Sequence, residues 1–114
     1  MLIQVLRAKI HRARITDANL QYEGSIAIGT DLLAASGIRV FEKVQVVNLN
    51  NGERFETYVI EGKPGEIGLN GPAARLGLVG DEVIILAYAE LDPDREPIPE
   101  PRIVHVDARN RPRA

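Results

Sequence analysis

The sequence offers few side chains for catalysis. It has two serines, Ser25 and Ser36, two histidines, His11 and His105, and no cysteine. The lack of cysteine excludes thiolate nucleophiles and zinc–thiolate sites. No G-x-S-x-G turn surrounds Ser25 and no His-Glu-x-x-His pattern is present, so neither a serine hydrolase site nor a metal site is predicted.

The dipeptide Gly24-Ser25 permits a reaction in which the backbone itself is the substrate. A serine hydroxyl can attack the carbonyl that precedes it, and glycine at that position allows the close approach. Elimination from the resulting ester, followed by hydrolysis, would leave a pyruvoyl group at residue 25. Such a ketone forms a Schiff base with an amine substrate and accepts electrons during decarboxylation. The dipeptide alone is also typical of a bend in a strand.

Three other residues carry groups that such a site needs. Lys9 and Arg54 can hold a carboxylate, and arginine can do so through a bidentate fork. Tyr58 follows Arg54 by four residues on the same face of a predicted strand and can protonate a carbanion-like intermediate. Taken singly, the two cations also fit surface charges, and the tyrosine also fits a core position.

The composition predicts one domain over residues 1–114. The chain is 45% hydrophobic and 26% charged, as in globular proteins, and its net charge of −2 argues against a nucleic-acid binder. No signal peptide and no membrane-spanning apolar run are visible. We therefore expect a cytoplasmic protein with no nucleic-acid or membrane partner.

Glycine and proline divide the chain into short segments, which favours strands over long helices. A helix is predicted from an N-cap at Thr30 to Gly37, a hairpin at Asn51-Gly52, and a helical turn over 72–76. The apolar segment 82–90 reads as a strand buried on both faces. Residues 93–101 are expected to be extended outside the sheet, and residues 108–114 to be a frayed tail. This pattern predicts a mainly β fold, a small barrel with one or two short helices.

Four motifs, in their order along the chain, resemble the pyruvoyl-dependent aspartate 1-decarboxylases. The resemblance covers about residues 6–88. It implies a double-psi β-barrel and a homotetramer with active sites at subunit contacts. The motifs are Lys9-Ile10-His11-Arg12, Tyr22-Glu23-Gly24-Ser25, the run from Asn51 to Tyr58 and the run from Leu69 to Arg75.

The resemblance implies decarboxylation of L-aspartate to β-alanine and carbon dioxide, for pantothenate and coenzyme A biosynthesis. It also implies that a proenzyme cleaves itself between Gly24 and Ser25, giving a β chain 1–24 and an α chain 25–114 with a pyruvoyl cofactor derived from Ser25. A need for a maturation factor stays open. So does an alternative function as a non-catalytic β-barrel binding module.

The same resemblance implies roles for single residues. Lys9 and Arg54 would bind the substrate carboxylate, and Tyr58 would donate a proton. Thr57 would stabilise the oxyanion of self-cleavage and contact the substrate. Because Thr57 and Tyr58 point to opposite faces of a regular strand, their action at one centre requires a bulge or a subunit boundary. Further substrate-binding residues would be Asn70, Gly71, Pro72 and Ala73, with His11 and Tyr22 lining the pocket.

Overall fold

A computed structural model describes residues 1–113 as a mainly β fold. The α-helix α1 spans Thr30–Ser36, and a 3₁₀ helix spans Gly71–Arg75. The strands of this part of the chain are β1 (Ile3–Arg14), β2 (Asp17–Asn19), β3 (Ser25–Gly29), β4 (Lys43–Asn48), β5 (Arg54–Gly62), β6 (Ile67–Asn70), β7 (Glu82–Leu91) and β8 (Arg102–His105).

The strands form one curved sheet in the order β2-β6-β3-β5-β4-β7-β1-β8. The pairs β2–β6, β3–β5 and β1–β8 are parallel, and the other neighbours are antiparallel. Among the described residues, no pairing joins β2 to β8, so the sheet does not close. The predicted mainly β, barrel-like fold with one or two short helices is confirmed. None of the described helices is long and apolar enough to cross a membrane.

The core lies on the inner face of the sheet and consists of Val, Ile, Leu and Ala. The prediction that segment 82–90 is buried on both faces is wrong. In β7, Val83, Ile85 and Ala87 are buried, but Leu86 on the other face is only partly buried and Tyr88 is exposed. The reason is that no described element of the protomer covers the outer face of β7.

The predicted hairpin and helix both form, with one change at the start of the helix. Strands β4 and β5 pair antiparallel across a turn in which Gly52 has a φ of 77°. Helix α1 ends as expected at Gly37, whose left-handed backbone donates to the Leu33 carbonyl. The N-cap is Gly29 instead of Thr30, because the extended backbone residue is Gly29 and Thr30 is already helical.

The end of the chain differs from the expected frayed tail at 108–114. Asn110 is only 2% exposed. Its side chain accepts a hydrogen bond from the Arg14 N–H at 2.8 Å and donates to the carbonyls of Arg14 and Gly65 at 2.7 and 3.1 Å. These bonds fasten residues 108–113 to the barrel. Ala114 lies outside the described residues.

We expect Asn110→Ala and Asn110→Gly each to lower the free energy of unfolding by about 2 kcal/mol or more, because each leaves buried backbone groups without partners. Urea unfolding at one fixed protein concentration measures this change. The glycine variant tests the cause, since glycine adopts the φ of 60° at this position without strain. A glycine variant as stable as the parent chain would contradict the role of the amide.

Candidate active site

The Ser25 hydroxyl is buried and held by one amide donor. Strands β3 and β6 pair antiparallel with Ser25 opposite Asn70, and the two residues are 3% and 8% exposed. Asn70 Nδ2 donates to Ser25 Oγ at 3.0 Å. This bond fixes the oxygen and leaves the hydroxyl proton free of any described acceptor. Sheet register therefore brings together two residues, Ser25 and Asn70, that the sequence analysis named separately.

A close backbone contact lies beside this pair, between Gly71 and the segment before Ser25. A Cβ atom on Gly71 would come within 2.9 Å of the N and Cα atoms of Gly24 and of the Tyr22 carbonyl oxygen. Gly71 also has a φ of 65°. By contrast, a Cβ on Gly24 would meet only Pro72 Cδ, at 3.7 Å. The tight approach that the sequence assigns to Gly24 thus depends on Gly71.

A cavity of about 300 Å³ adjoins Gly24. It is lined by both Thr57 and Tyr58, although these residues alternate along β5. The register of β5 with β4 is unbroken from Arg54 to Tyr58, so no bulge is needed for both to border the cavity. The remaining lining residues are Phe55, Glu56, Pro72, Ala73 and Leu76.

The two expected carboxylate-binding residues do not line this cavity and lie on the outer face of strands β1, β7, β4 and β5. Lys9 stands between the inward-facing Ala8 and Ile10 and is partly buried, and Arg54 is exposed. Strands β7 and β4 separate β1 from β5. Three strand spacings correspond to about 14 Å, so Lys9 does not reach β5 within one protomer.

Arg54 is hydrogen-bonded to a residue that sequence reasoning missed. Its Nη1 donates to Gln45 Oε1 at 2.9 Å, and the Tyr88 hydroxyl donates to the same oxygen at 2.8 Å. The three residues come from β5, β4 and β7. Their contact depends on strand order, which the spacing of these residues in the sequence does not reveal.

His11 and Tyr22 lie apart from the cavity. The side chain of Tyr22 is 64% exposed in the segment before Ser25. On β1, His11 packs edge-to-face against His105, with ring centroids 5.6 Å apart, and its Nδ1 is buried without a hydrogen-bond partner. The sequence assigned His105 no role, and only the parallel pairing of β1 with β8 brings it to His11.

The environment of His11 favours its neutral form. Burial lowers the pKa of His11 most strongly, the charges of Lys9, His105 and Arg12 lower it further, and Glu82 opposes them. Within residues 1–113, no cluster of three or more potential ligands among His, Cys, Asp and Glu could hold a metal ion.

Comparison with known proteins places this arrangement in a family. The family model described as aspartate decarboxylase matches residues 1–113. The chain belongs to the aspartate decarboxylase family. The family expected from the four motifs is therefore confirmed, and the match runs well beyond the region that those motifs cover.

Individual members of the family are similar over nearly the whole chain. A protein from Salinibacter ruber named aspartate 1-decarboxylase is 58% identical over 96% of this chain and 77% of its own length. One of the same name from Caldicellulosiruptor saccharolyticus is 58% identical, covering 97% and 88%. Another from Campylobacter hominis is 52% identical, covering 96% of each chain.

We expect the His11 imidazole to titrate below its ordinary pKa of 6.5. Because the unfolded chain takes up this proton first as the pH falls, the contribution of His11 to the free energy of unfolding decreases below about pH 6.5, down to its pKa in the folded chain. An NMR titration of the ring protons measures the pKa directly. Lys9→Gln should raise the pKa without restoring 6.5, since burial remains. A pKa at or above 6.5 in the parent chain would contradict this environment.

Proposed function

We propose that the chain decarboxylates L-aspartate to β-alanine and carbon dioxide, for pantothenate and coenzyme A biosynthesis, after it cleaves itself before Ser25. The observation that carries this proposal is the buried Ser25 hydroxyl, bound by Asn70 next to Gly24. Membership in the aspartate decarboxylase family and relatives named aspartate 1-decarboxylase support it. They do not favour a non-catalytic binding module.

Self-cleavage begins at the bond between Gly24 and Ser25. Ser25 Oγ attacks the Gly24 carbonyl carbon, and Thr57, which borders the same cavity as Gly24, stabilises the oxyanion. Transfer of the acyl group from nitrogen to oxygen gives an ester. Elimination transfers the Cα proton of residue 25 to solvent and breaks the bond between Cβ and Oγ, which releases residues 1–24 with a terminal carboxylate and leaves a Cα–Cβ double bond. Water then converts the dehydroalanine at residue 25 to pyruvoyl and frees ammonia.

The residues around Ser25 fit the pyruvoyl cofactor. Asn70 Nδ2 is a buried donor aimed at residue 25, where a carbonyl group needs a hydrogen-bond partner. The cavity beside Gly24 provides space for a small substrate. Held at residue 25 beside Asn70, the pyruvoyl group would supply an electrophilic ketone for a substrate amine and an acceptor for the electron pair left by decarboxylation.

Charged and hydroxyl side chains would bind the substrate and donate the proton. We assign Lys9 and Arg54 to the substrate carboxylates and Tyr58, which borders the cavity, to proton donation. Asn70, Gly71, Pro72 and Ala73 form the wall of the site that carries residue 25. Because His11 and Tyr22 lie apart from the cavity of one protomer, we propose that they line the pocket only in the assembled enzyme.

A homotetramer would bring these groups together. Lys9 and Arg54 lie on the outer face of the sheet, where Val47, Ile84 and Leu86 are only partly covered. An apolar surface with cations at its edge suits a contact with a second copy. We therefore propose that the outer face of one protomer meets the cavity of another.

The other partners and the location follow from this activity. L-Aspartate is the substrate, and its presence in the cytoplasm supports a cytoplasmic enzyme. The net charge of −2 does not favour nucleic-acid binding. The same activity requires no membrane. A need for a maturation factor would show as incomplete cleavage of the purified chain.

Two variants test the activity against L-aspartate. Ser25→Ala should abolish both chain cleavage and β-alanine formation, because it removes the attacking oxygen. Tyr58→Phe should leave cleavage complete but lower kcat by roughly 10²–10⁴-fold, the usual contribution of a positioned proton donor. Carbon dioxide release measures turnover, and denaturing electrophoresis measures cleavage. Turnover by Ser25→Ala would overturn the proposed function, and an unchanged kcat in Tyr58→Phe would remove that residue from proton transfer.

A further inference from the structure

Gln45 lies at the centre of a three-residue contact on the outer face of the sheet. Its Oε1 accepts hydrogen bonds from Arg54 Nη1 at 2.9 Å and from the Tyr88 hydroxyl at 2.8 Å. Both contacts run diagonally across strand pairs, since Gln45 stands directly opposite Glu56 on β5 and Leu86 on β7. We propose that Gln45 is a positioning residue that holds Arg54 for the substrate carboxylate while leaving its charge unpaired.

Of the three glutamates that line the same surface cavity as Gln45, namely Glu42, Glu56 and Glu90, two are engaged by other cations. Glu56 pairs with Lys43 at 3.6 Å, and Glu42 is bound by Arg7. Within residues 1–113, Gln45 is the one side chain hydrogen-bonded to Arg54, and no carboxylate is paired with it. A guanidinium has five N–H donors in a planar fork. With one donor committed to Gln45, Arg54 keeps enough donors for a bidentate contact with a substrate carboxylate.

The neutrality of the amide is the decisive property. A carboxylate in the place of the Gln45 amide would lie about 3 Å from the guanidinium, form a charge-assisted pair and compete with an anionic substrate. Tyr88 occupies the second acceptor site of the same oxygen and so fixes the direction of the amide. The amide therefore limits the motion of Arg54 without cancelling its attraction for anions.

The role of Gln45 rests on the proposed function, and its test compares two isosteric charge changes. Gln45→Glu places a carboxylate against Arg54. The matched control, Gln4→Glu, adds the same charge to the surface cavity that Gln4 and Gln45 both line, but Gln4 makes no described contact with Arg54. We expect Gln45→Glu to raise KM for L-aspartate roughly 10–100-fold with little change in kcat. Gln4→Glu should leave both parameters near those of the parent enzyme.

A second variant separates positioning from charge. Gln45→Leu removes the acceptor without adding a charge, and we expect a smaller rise in KM, roughly 3–10-fold, because Arg54 loses its fixed direction. Completeness of cleavage is measured for every variant, since a merely structural defect would lower kcat or cleavage. If Gln45→Glu does not fold, the KM of Gln45→Leu compared with that of the parent enzyme tests the role of Gln45.

The outcomes separate this inference from the proposed function. A parent enzyme that cleaves but does not decarboxylate L-aspartate would overturn the proposed function. An active parent enzyme with equal KM values in Gln45→Glu and Gln4→Glu, or with an unchanged KM in Gln45→Leu, would overturn the role of Gln45.

Discussion

The hydrogen bond from Asn70 to Ser25 is the contact on which the proposed chemistry depends. It exists because β3 and β6 pair in a register that sets these two residues opposite each other, in a part of the barrel that excludes water. Gly71 then lets the chain before Ser25 pass within van der Waals contact of the 3₁₀ helix. Sheet register and the absent side chain of Gly71 thus fix the position of the hydroxyl that we propose attacks the Gly24 carbonyl.

The second constraint is that one protomer keeps its two expected carboxylate-binding cations, Lys9 and Arg54, apart from each other. Lys9 and Arg54 lie on the outer face of the sheet, and the strand order separates β1 from β5 by two strands. The same face carries the partly covered apolar residues of β7 and the Gln45 contact. If the proposed homotetramer forms, its assembly completes the substrate site, and activity then depends on oligomerisation.

Local signals predicted much of the fold, and long-range contacts account for what they missed. Asn51-Gly52 and Gly37 act through their own backbone conformations, so the hairpin and the helix end were readable from sequence. The motifs identified the family and named Ser25 and Asn70 as separate candidates, but their hydrogen bond became visible only in the folded sheet. The hydrogen bonds of Asn110 with Arg14 and of Arg54 with Gln45 could not be predicted from the sequence. Each joins segments that become neighbours only in the folded sheet.

The mass of the purified chain over time tests the central claim most directly. If the Asn70 amide orients Ser25 for attack, denaturing mass spectrometry should find fragments 1–24 and 25–114, the longer one with a carbonyl group that hydroxylamine traps. Asn70→Ala should slow their appearance by roughly tenfold or more, the effect of losing one hydrogen bond to the reacting atom. An intact parent chain after prolonged incubation, or equal cleavage rates in the two proteins, would contradict the account.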